Sequence, residues 1–337
     1  MSETKLVQLT REEKRYLKKA GYGFSSGVSA GRWCQLEEVY LSSGLWTSSC
    51  TSGLPRFSCP SRERCDELFN KRNRERTIRP DHRGTVANYF AEGYDRLLSI
   101  NGTPLRICVV SIDSASWTFD FKTQSGLDSW KTTGMRNQLD YNNLHWSTTR
   151  DMVYRLLFGK WPVDSEPTTL CPKLFTHVRA LKCNGAQDPR PPLEKLLRSP
   201  GLIESEQSGS KRWKPHQGMY ELCYRFLEAE LNVLQPTILI SQGFSRRERS
   251  PSTTGAVQRA ISRICGCPGQ DITTLAYAGS KWQSSVAMWQ WQADWGDCIL
   301  IGTYHPTYWL YKKGRIDSLR DALEPGMAWL RRRLGQY

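Results

Sequence analysis

From Arg106 onward the sequence alternates short apolar runs with longer amphipathic ones, and this alternation restricts the fold more than any other feature. Arg106–Asp113 is a nearly continuous apolar run, the pattern of a strand covered on both faces. A helical period over Thr149–Phe158 stops at Gly159, and Phe175–Leu181 reads as a strand with imperfect alternation. Gly218–Leu234 places Met219, Leu222, Cys223, Phe226, Leu227 and Leu231 on one face of a helix. Pro236 then leads into a strand at Thr237–Ser241 that ends at Gln242-Gly243. A helix over Ala256–Ile264 and strands at Ile272–Tyr277, Ser285–Gln292 and Cys298–Thr303 follow. The last helix, Ser318–Leu334, should break or kink at Pro325-Gly326. Strands alternating with helices predict an α/β fold: a mainly parallel central sheet flanked by helices. Residues 186–215, rich in Pro, Ser and charge, read as an inserted loop.

Upstream the pattern is poorer. Thr10-Arg11-Glu12-Glu13 opens a helix with a capping box, and the helix stops near Gly21. Between Gly21 and Gly84 the chain is rich in Gly, Ser, Arg and Cys and has little periodicity, so an irregular, cysteine-rich region that needs a staple is expected. A helix over Thr85–Leu98 and the turn Asn101-Gly102-Thr103-Pro104 complete it. The expected division is a helical, cysteine-rich region at 1–104 and an α/β domain at 105–337.

With 13 Trp and 14 Tyr the chain has the aromatic surface for a sizeable core. No apolar run approaches the roughly 18 residues of a membrane span. The first residues lack the apolar stretch of a signal peptide, so a cytoplasmic protein is expected; a monomer is a separate expectation. Lys plus Arg number 47 against 33 Asp plus Glu, a net charge of +14. Such an excess favours a polyanionic partner, nucleic acid first, because each neutralised phosphate releases counterions. Eleven cysteines in such a chain point to metal or cluster chemistry more than to disulfides. No Cys-x-x-Cys pair supports a zinc ribbon, and the five histidines show no paired spacing for a zinc nuclease. Cys108 and Cys298 lie in apolar runs and read as buried small hydrophobes.

Four segments, in order, carry a resemblance. Cys108-Val109-Val110-Ser111-Ile112-Asp113-Ser114-Ala115 runs from a strand into a small-residue loop. Leu144-His145-Trp146-Ser147-Thr148-Thr149-Arg150 leads into a helix. Thr176 to Lys182-Cys183 is answered, after the insertion, by Glu221-Leu222-Cys223 and by Pro236-Thr237-Ile238-Leu239-Ile240-Ser241-Gln242-Gly243. Gly302-Thr303-Tyr304-His305-Pro306-Thr307-Tyr308 is a strand followed by His-Pro-Thr. Together they resemble the uracil-DNA glycosylase superfamily, especially its iron–sulfur branch.

The resemblance implies a DNA glycosylase that flips a base out and hydrolyses its N-glycosidic bond, leaving an abasic site. Asp113 would orient the water and His305 would stabilise the departing base. His145 or Trp146 would stack on the base, and Tyr308 and Trp309 would wedge into the duplex beside Lys312, Lys313 and Arg315. It also implies a [4Fe–4S] cluster held by Cys59, Cys65, Cys183 and Cys223, with Cys50 as a substitute for one of the first two. The chemistry is coherent without the resemblance. A carboxylate near the sugar stabilises an oxocarbenium-like state, and a donor near the base stabilises a leaving anion. The alternatives are a turn or helix cap for Asp113 and ordinary packing for His305, while Trp146 fits a core position equally well.

Two departures shape the expectation. The iron–sulfur branch reads Gly-Glu-x-Pro-Gly where this chain has Ser111-Ile112-Asp113-Ser114-Ala115. The uracil-reading Asn is missing, with Arg179 nearest its place. The expected substrate is therefore a modified base, such as a glucosylated hydroxymethylcytosine of phage DNA, in antiviral defence. Open alternatives are a non-catalytic nucleic-acid-binding protein that keeps the fold, and a uracil-excising repair enzyme.

Overall fold

The computed structural model describes residues 9–24, 31–45, 59–61, 63–65, 67–68, 78–79, 94, 98–111, 144–163, 168–182, 184–185, 217–244, 252–283, 285–304 and 317–335. Asp113, His305, Tyr308, Trp309, Cys50, Cys183, the insertion at 186–215 and nearly all of the helix expected over 85–98 lie outside them.

In chain order the elements are α1 (Arg11–Lys19), β1 (Tyr22–Phe24), α2 (Arg32–Ser42), β2 (Ile78–Arg79), β3 (Leu98–Ile100), β4 (Thr103–Leu105) and β5 (Ile107–Ser111). Then come α3 (Leu144–Phe158), β6 (Phe175–Arg179), β7 (Asn184–Gly185), α4 (Gln217–Leu234), β8 (Ile238–Gln242) and α5 (Thr253–Ile264). The series ends with β9 (Gln270–Asp271), α6 (Thr273–Ala276), β10 (Val286–Ala293), β11 (Gly296–Thr303) and α7 (Asp317–Arg333).

The central sheet has six strands in the order β6-β5-β8-β11-β10-β9. β6, β5, β8 and β11 run parallel, whereas β10 is antiparallel to both of its neighbours, β11 and β9. Every residue of β5, β6 and β8 is buried, which is why the β5 segment reads as a nearly continuous apolar run and β6 shows no clean alternation. Side chains alternate across the sheet. Ile107, Val109, Phe175, Ile238, Ile240, Ile299 and Ile301 share one core with residues of α3 and α7. Cys108, Val110, Val178, Leu239, Cys298 and Leu300 share the other with α2, α4 and α5. The result is a three-layer α/β/α arrangement.

The N-terminal elements clasp both faces. The Thr10 hydroxyl accepts from the Glu13 amide at 3.2 Å and the Glu13 carboxylate accepts from the Thr10 amide at 2.7 Å, the reciprocal cap read in the sequence. Tyr16 and Tyr22 then pack on Phe158 of α3, and the Tyr22 hydroxyl donates to the Leu157 carbonyl. On the opposite face α2 lies on α4, with the Tyr40 hydroxyl donating to Glu230 at 2.5 Å. The turn at Asn101-Gly102 joins β3 to β4. Its two residues have φ of 49° and 80°, the two-residue hairpin turn that suits the right-handed twist of strands.

Several expectations change. The region 21–84 contains a helix, α2, whose N-terminal residue Gly31 is left-handed and offers no side-chain cap, so no start signal was present. Leu98 belongs to a strand, and α3 begins at Leu144, before the expected Thr149. Ile272–Tyr277 is not a strand. The Asp271 carboxylate accepts from the Thr273 amide at 2.8 Å and starts the short helix α6 there. α7 runs through Pro325 as one helix, with Leu323, Met327 and Leu330 in the core. Among the described residues no helix is long and apolar enough to cross a membrane.

Candidate functional site

The four parallel strands end in polar residues. Arg179 closes β6, Ser111 β5, Gln242 β8 and Thr303 β11, and all four are buried. Arg179 is level with Ser111, and Gln242 with Thr303. Val110 pairs with Ser241, so Ser111 and Gln242 stand side by side. By alternation all four lie on the face that α3 covers, in line with Val109, Ile240 and Ile301 beneath them. A row of polar groups therefore crosses the sheet where isoleucine and valine would continue the core.

The place matters as much as the composition. After β5 the chain adds β6 on one side and β8 on the other, so the connections diverge between β5 and β8. Open α/β sheets bind ligands at such a switch point, outside the carboxyl ends of the strands. Ser111 and Gln242 occupy it.

α3 meets this row with its second turn. Gln242 Nε2 donates to Thr149 Oγ1 at 2.7 Å, and Thr148 and Arg150 are buried beside it. His145 and Trp146, the expected stacking residues, belong to the first turn of the same helix. On the other face Ser241 Oγ and Thr254 Oγ1 are 2.6 Å apart, which ties the end of β8 to the start of α5. Gly243 and Phe244 both donate to the Thr303 carbonyl, at 2.8 and 2.9 Å. At Gly243, with φ of 150°, a Cβ would come within 2.6 Å of Thr253 Oγ1, so only glycine fits. The Phe244 ring stands 5.6 Å from Tyr304 and 6.5 Å from Trp289, forming an aromatic border beyond β8 and β11.

One step below the row His177 is buried next to Arg179. Burial, reinforced by the charges of Arg179 and Lys182, holds its imidazole well below the usual histidine range, hence neutral. Lys182, just past β6, is itself fully buried. Its ammonium donates to the Arg179 carbonyl at 2.6 Å and pairs with Glu230 of α4, which also accepts from Tyr40. Burial pushes the Glu230 carboxyl up, against the opposing pull of Lys182 and Tyr40. This network fixes the exit of β6 and carries Arg179 with it.

Among the expected cluster ligands, Cys59, Cys65 and Cys223 are buried in one and the same core. The Lys182 amide donates to Cys223 Sγ at 3.4 Å, and β2 pairs with β7 just after the position of Cys183. Among the described residues no three Cys, His, Asp or Glu side chains form a group that could hold a metal ion. Cys108 and Cys298 are buried as expected, and burial pushes both thiols up, away from the reactive form.

Of the expected site residues, Arg179 stands at the strand-end row and the backbone of His145 and Trp146 lies on the helix that covers it. Asp113, His305, Tyr308 and Trp309 are outside the described residues. Gln242 and Thr149 were missed as site residues. A polar Gln in phase with Ile238 and Ile240, immediately before a glycine, was the readable signal. No family model matches the chain, and no curated protein matches it.

Proposed function

We propose that the protein is a DNA glycosylase that receives a flipped nucleotide at the carboxyl ends of β5, β8 and β11 and hydrolyses its N-glycosidic bond. The observation that carries this reading is the buried polar row Arg179–Ser111–Gln242–Thr303 at the switch point of the sheet. In the sequence Asp113 follows Ser111 by two residues and His305 follows Thr303 by two. In the proposed reaction the Asp113 carboxylate orients a water and stabilises positive charge on the sugar. His305 stabilises the negative charge that develops on the departing base. His145 or Trp146 stacks on the extruded base, and Tyr308 and Trp309 fill the gap it leaves.

The preferred substrate is a modified base, a hypermodified phage base among them, because arginine stands where the uracil-reading amide is expected. The net charge of +14 supports a nucleic-acid partner. A [4Fe–4S] cluster on Cys59, Cys65, Cys183 and Cys223 is part of the proposal. Cys59, Cys65 and Cys223 are buried and the Lys182 amide donates to the Cys223 sulfur, but among the described residues these cysteines form no metal-holding group, so iron content is the test of this part. When bound it would staple the N-terminal region to α4.

The test is incubation of the protein with DNAs that each carry one modified base, followed by an assay for alkali-labile abasic sites. At least one base should be released, and Asp113→Asn should lower that rate about 10²–10³-fold while DNA affinity persists. DNA binding with no abasic product from any substrate leaves a binding protein, and wild-type rates in Asp113→Asn reduce the carboxylate to a cap.

A further inference from the structure

Three buried polar side-chain atoms around the end of β8 have no hydrogen-bond partner among the described residues: Gln242 Oε1, Thr148 Oγ1 and Thr253 Oγ1. A buried carbonyl oxygen without a donor destabilises the fold, and native proteins keep few of them. Gln242 is fully buried and its amide nitrogen is already anchored on Thr149 at 2.7 Å. The anchoring fixes the carboxamide and leaves its buried oxygen without a donor beside the switch point. An apolar residue of the same size would satisfy the core better. An oxygen that has no donor at rest, held at the place where such sheets bind ligands, is arranged for a partner that arrives later.

We propose that the Gln242 carboxamide is the specificity-determining group of this crevice, and that it reads a nucleobase edge presenting an N–H donor beside an acceptor. The inference rests on the reading of the crevice as a nucleobase site. It assigns to β8 the recognition that the family resemblance expects on β6. Arg179 has five donors and no acceptor, so it cannot meet an N–H group. The Gln242 oxygen can, while its second N–H meets the neighbouring acceptor. Two kinds of base share this chemistry. Adenine- and cytosine-type bases offer an exocyclic amino group beside a ring nitrogen, and uracil-type bases offer a ring N–H beside a carbonyl. A site that buries such a group rejects a ligand lacking the partner, because the oxygen then stays unpaired in the complex.

The experiment measures the affinity of the full chain for single-stranded oligonucleotides, each with one test base in an otherwise abasic centre. Adenine, cytosine and uracil are each compared with N6,N6-dimethyladenine, N4,N4-dimethylcytosine and N3-methyluracil, which lack the donor. The wild-type protein should prefer at least one parent base over its alkylated form by about ten- to hundred-fold. The base that shows the preference distinguishes the amino type from the uracil type. Gln242→Leu and the closer isostere Gln242→Met should erase the preference while melting at or above the wild-type temperature.

A purely structural amide gives the reverse: both variants melt lower and keep the preference. That result, or equal wild-type affinity for every base and its alkylated form, overturns the proposal. Discrimination that depends on Gln242 without any abasic product supports this inference and sinks the glycosylase reading. Base release with unchanged selectivity in Gln242→Met does the opposite.

Discussion

His177 shows what a single buried ionisable group does to the whole fold. Its imidazole is held neutral by burial and by the charges of Arg179 and Lys182. In the unfolded chain it takes up a proton near pH 6.5. The unfolded state therefore binds more protons as the pH falls, so stability is present above about pH 6.5 and is lost below it. The loss approaches about 1.4 kcal/mol for each further pH unit, from this residue alone. Denaturant titrations at pH 7, 6 and 5 should show that decline. His177→Leu should flatten it, and a variant with the same slope as wild type would mean that other groups set the acid limit. Gln242 and His177 make a contrasting pair on one face of the sheet. One is a buried polar group poised toward a crevice, and the other is a buried base kept uncharged.

At the scale of elements, the exit of β6 is pinned by charge. Lys182 and Glu230 are both fully inaccessible, and the pair spans from just past the strand end to the C-terminal part of α4. Removing one partner leaves a buried charge without compensation, so Glu230→Ala should lower stability by about 3–5 kcal/mol. Lys182→Met combined with Glu230→Leu should recover most of that loss. Thermal melts of the three variants decide it; equal melting of the single and double variants would show that the ions do not compensate each other. The same neighbourhood holds Cys223, whose sulfur accepts from the Lys182 amide. Protein purified without oxygen should be brown and hold about four irons per chain, as a four-cysteine cluster requires. Cys223→Ser should bleach it, and colourless, iron-free protein removes the cluster from the proposal. β5, β6, β8, α4 and the cap of α1 were legible because their signals are local: a continuous apolar run in β5, short strand-like segments bounded by turn residues in β6 and β8, a helical stripe, a Thr-x-x-Glu box. α2 was not, since it starts at a left-handed glycine and draws its stability from packing on α4. Ile272–Tyr277 misled because β-branched residues suit a strand, and one aspartate at 271 overruled them. Arg179 and the helix of His145 and Trp146 were legible at the site. Gln242 was hidden because only the strand register shows that it stands beside Ser111.

For the whole molecule the governing quantity is charge. With a net charge of +14, non-specific DNA affinity should fall steeply and linearly on a plot of log affinity against log salt. A protein that neutralises about six phosphates loses roughly a thousandfold between 50 and 200 mM salt. Replacing Lys312 and Lys313 by alanine should reduce the slope, whereas changing the base sequence should not. A flat plot would show that the excess charge serves solubility alone. The polar row and the Gln242 preference belong to a separate term, which salt should leave nearly untouched.

The grip of the N-terminal elements on both faces of the sheet has a consequence for how the chain is made. Tyr22 bonds a partner 135 residues downstream, and Tyr40 a partner 190 residues downstream. At synthesis rates of about 5–20 residues per second, Tyr40 waits roughly 10–40 s before Glu230 exists. Through that interval α1 and α2 have no sheet to cover, and their apolar stripes face water or a chaperone. Contacts so distant in sequence also slow folding itself, because long loops must close before any stabilisation is returned. Refolding should therefore be slow and sensitive to protein concentration. A chain that starts at residue 105 should expose both sheet faces and aggregate.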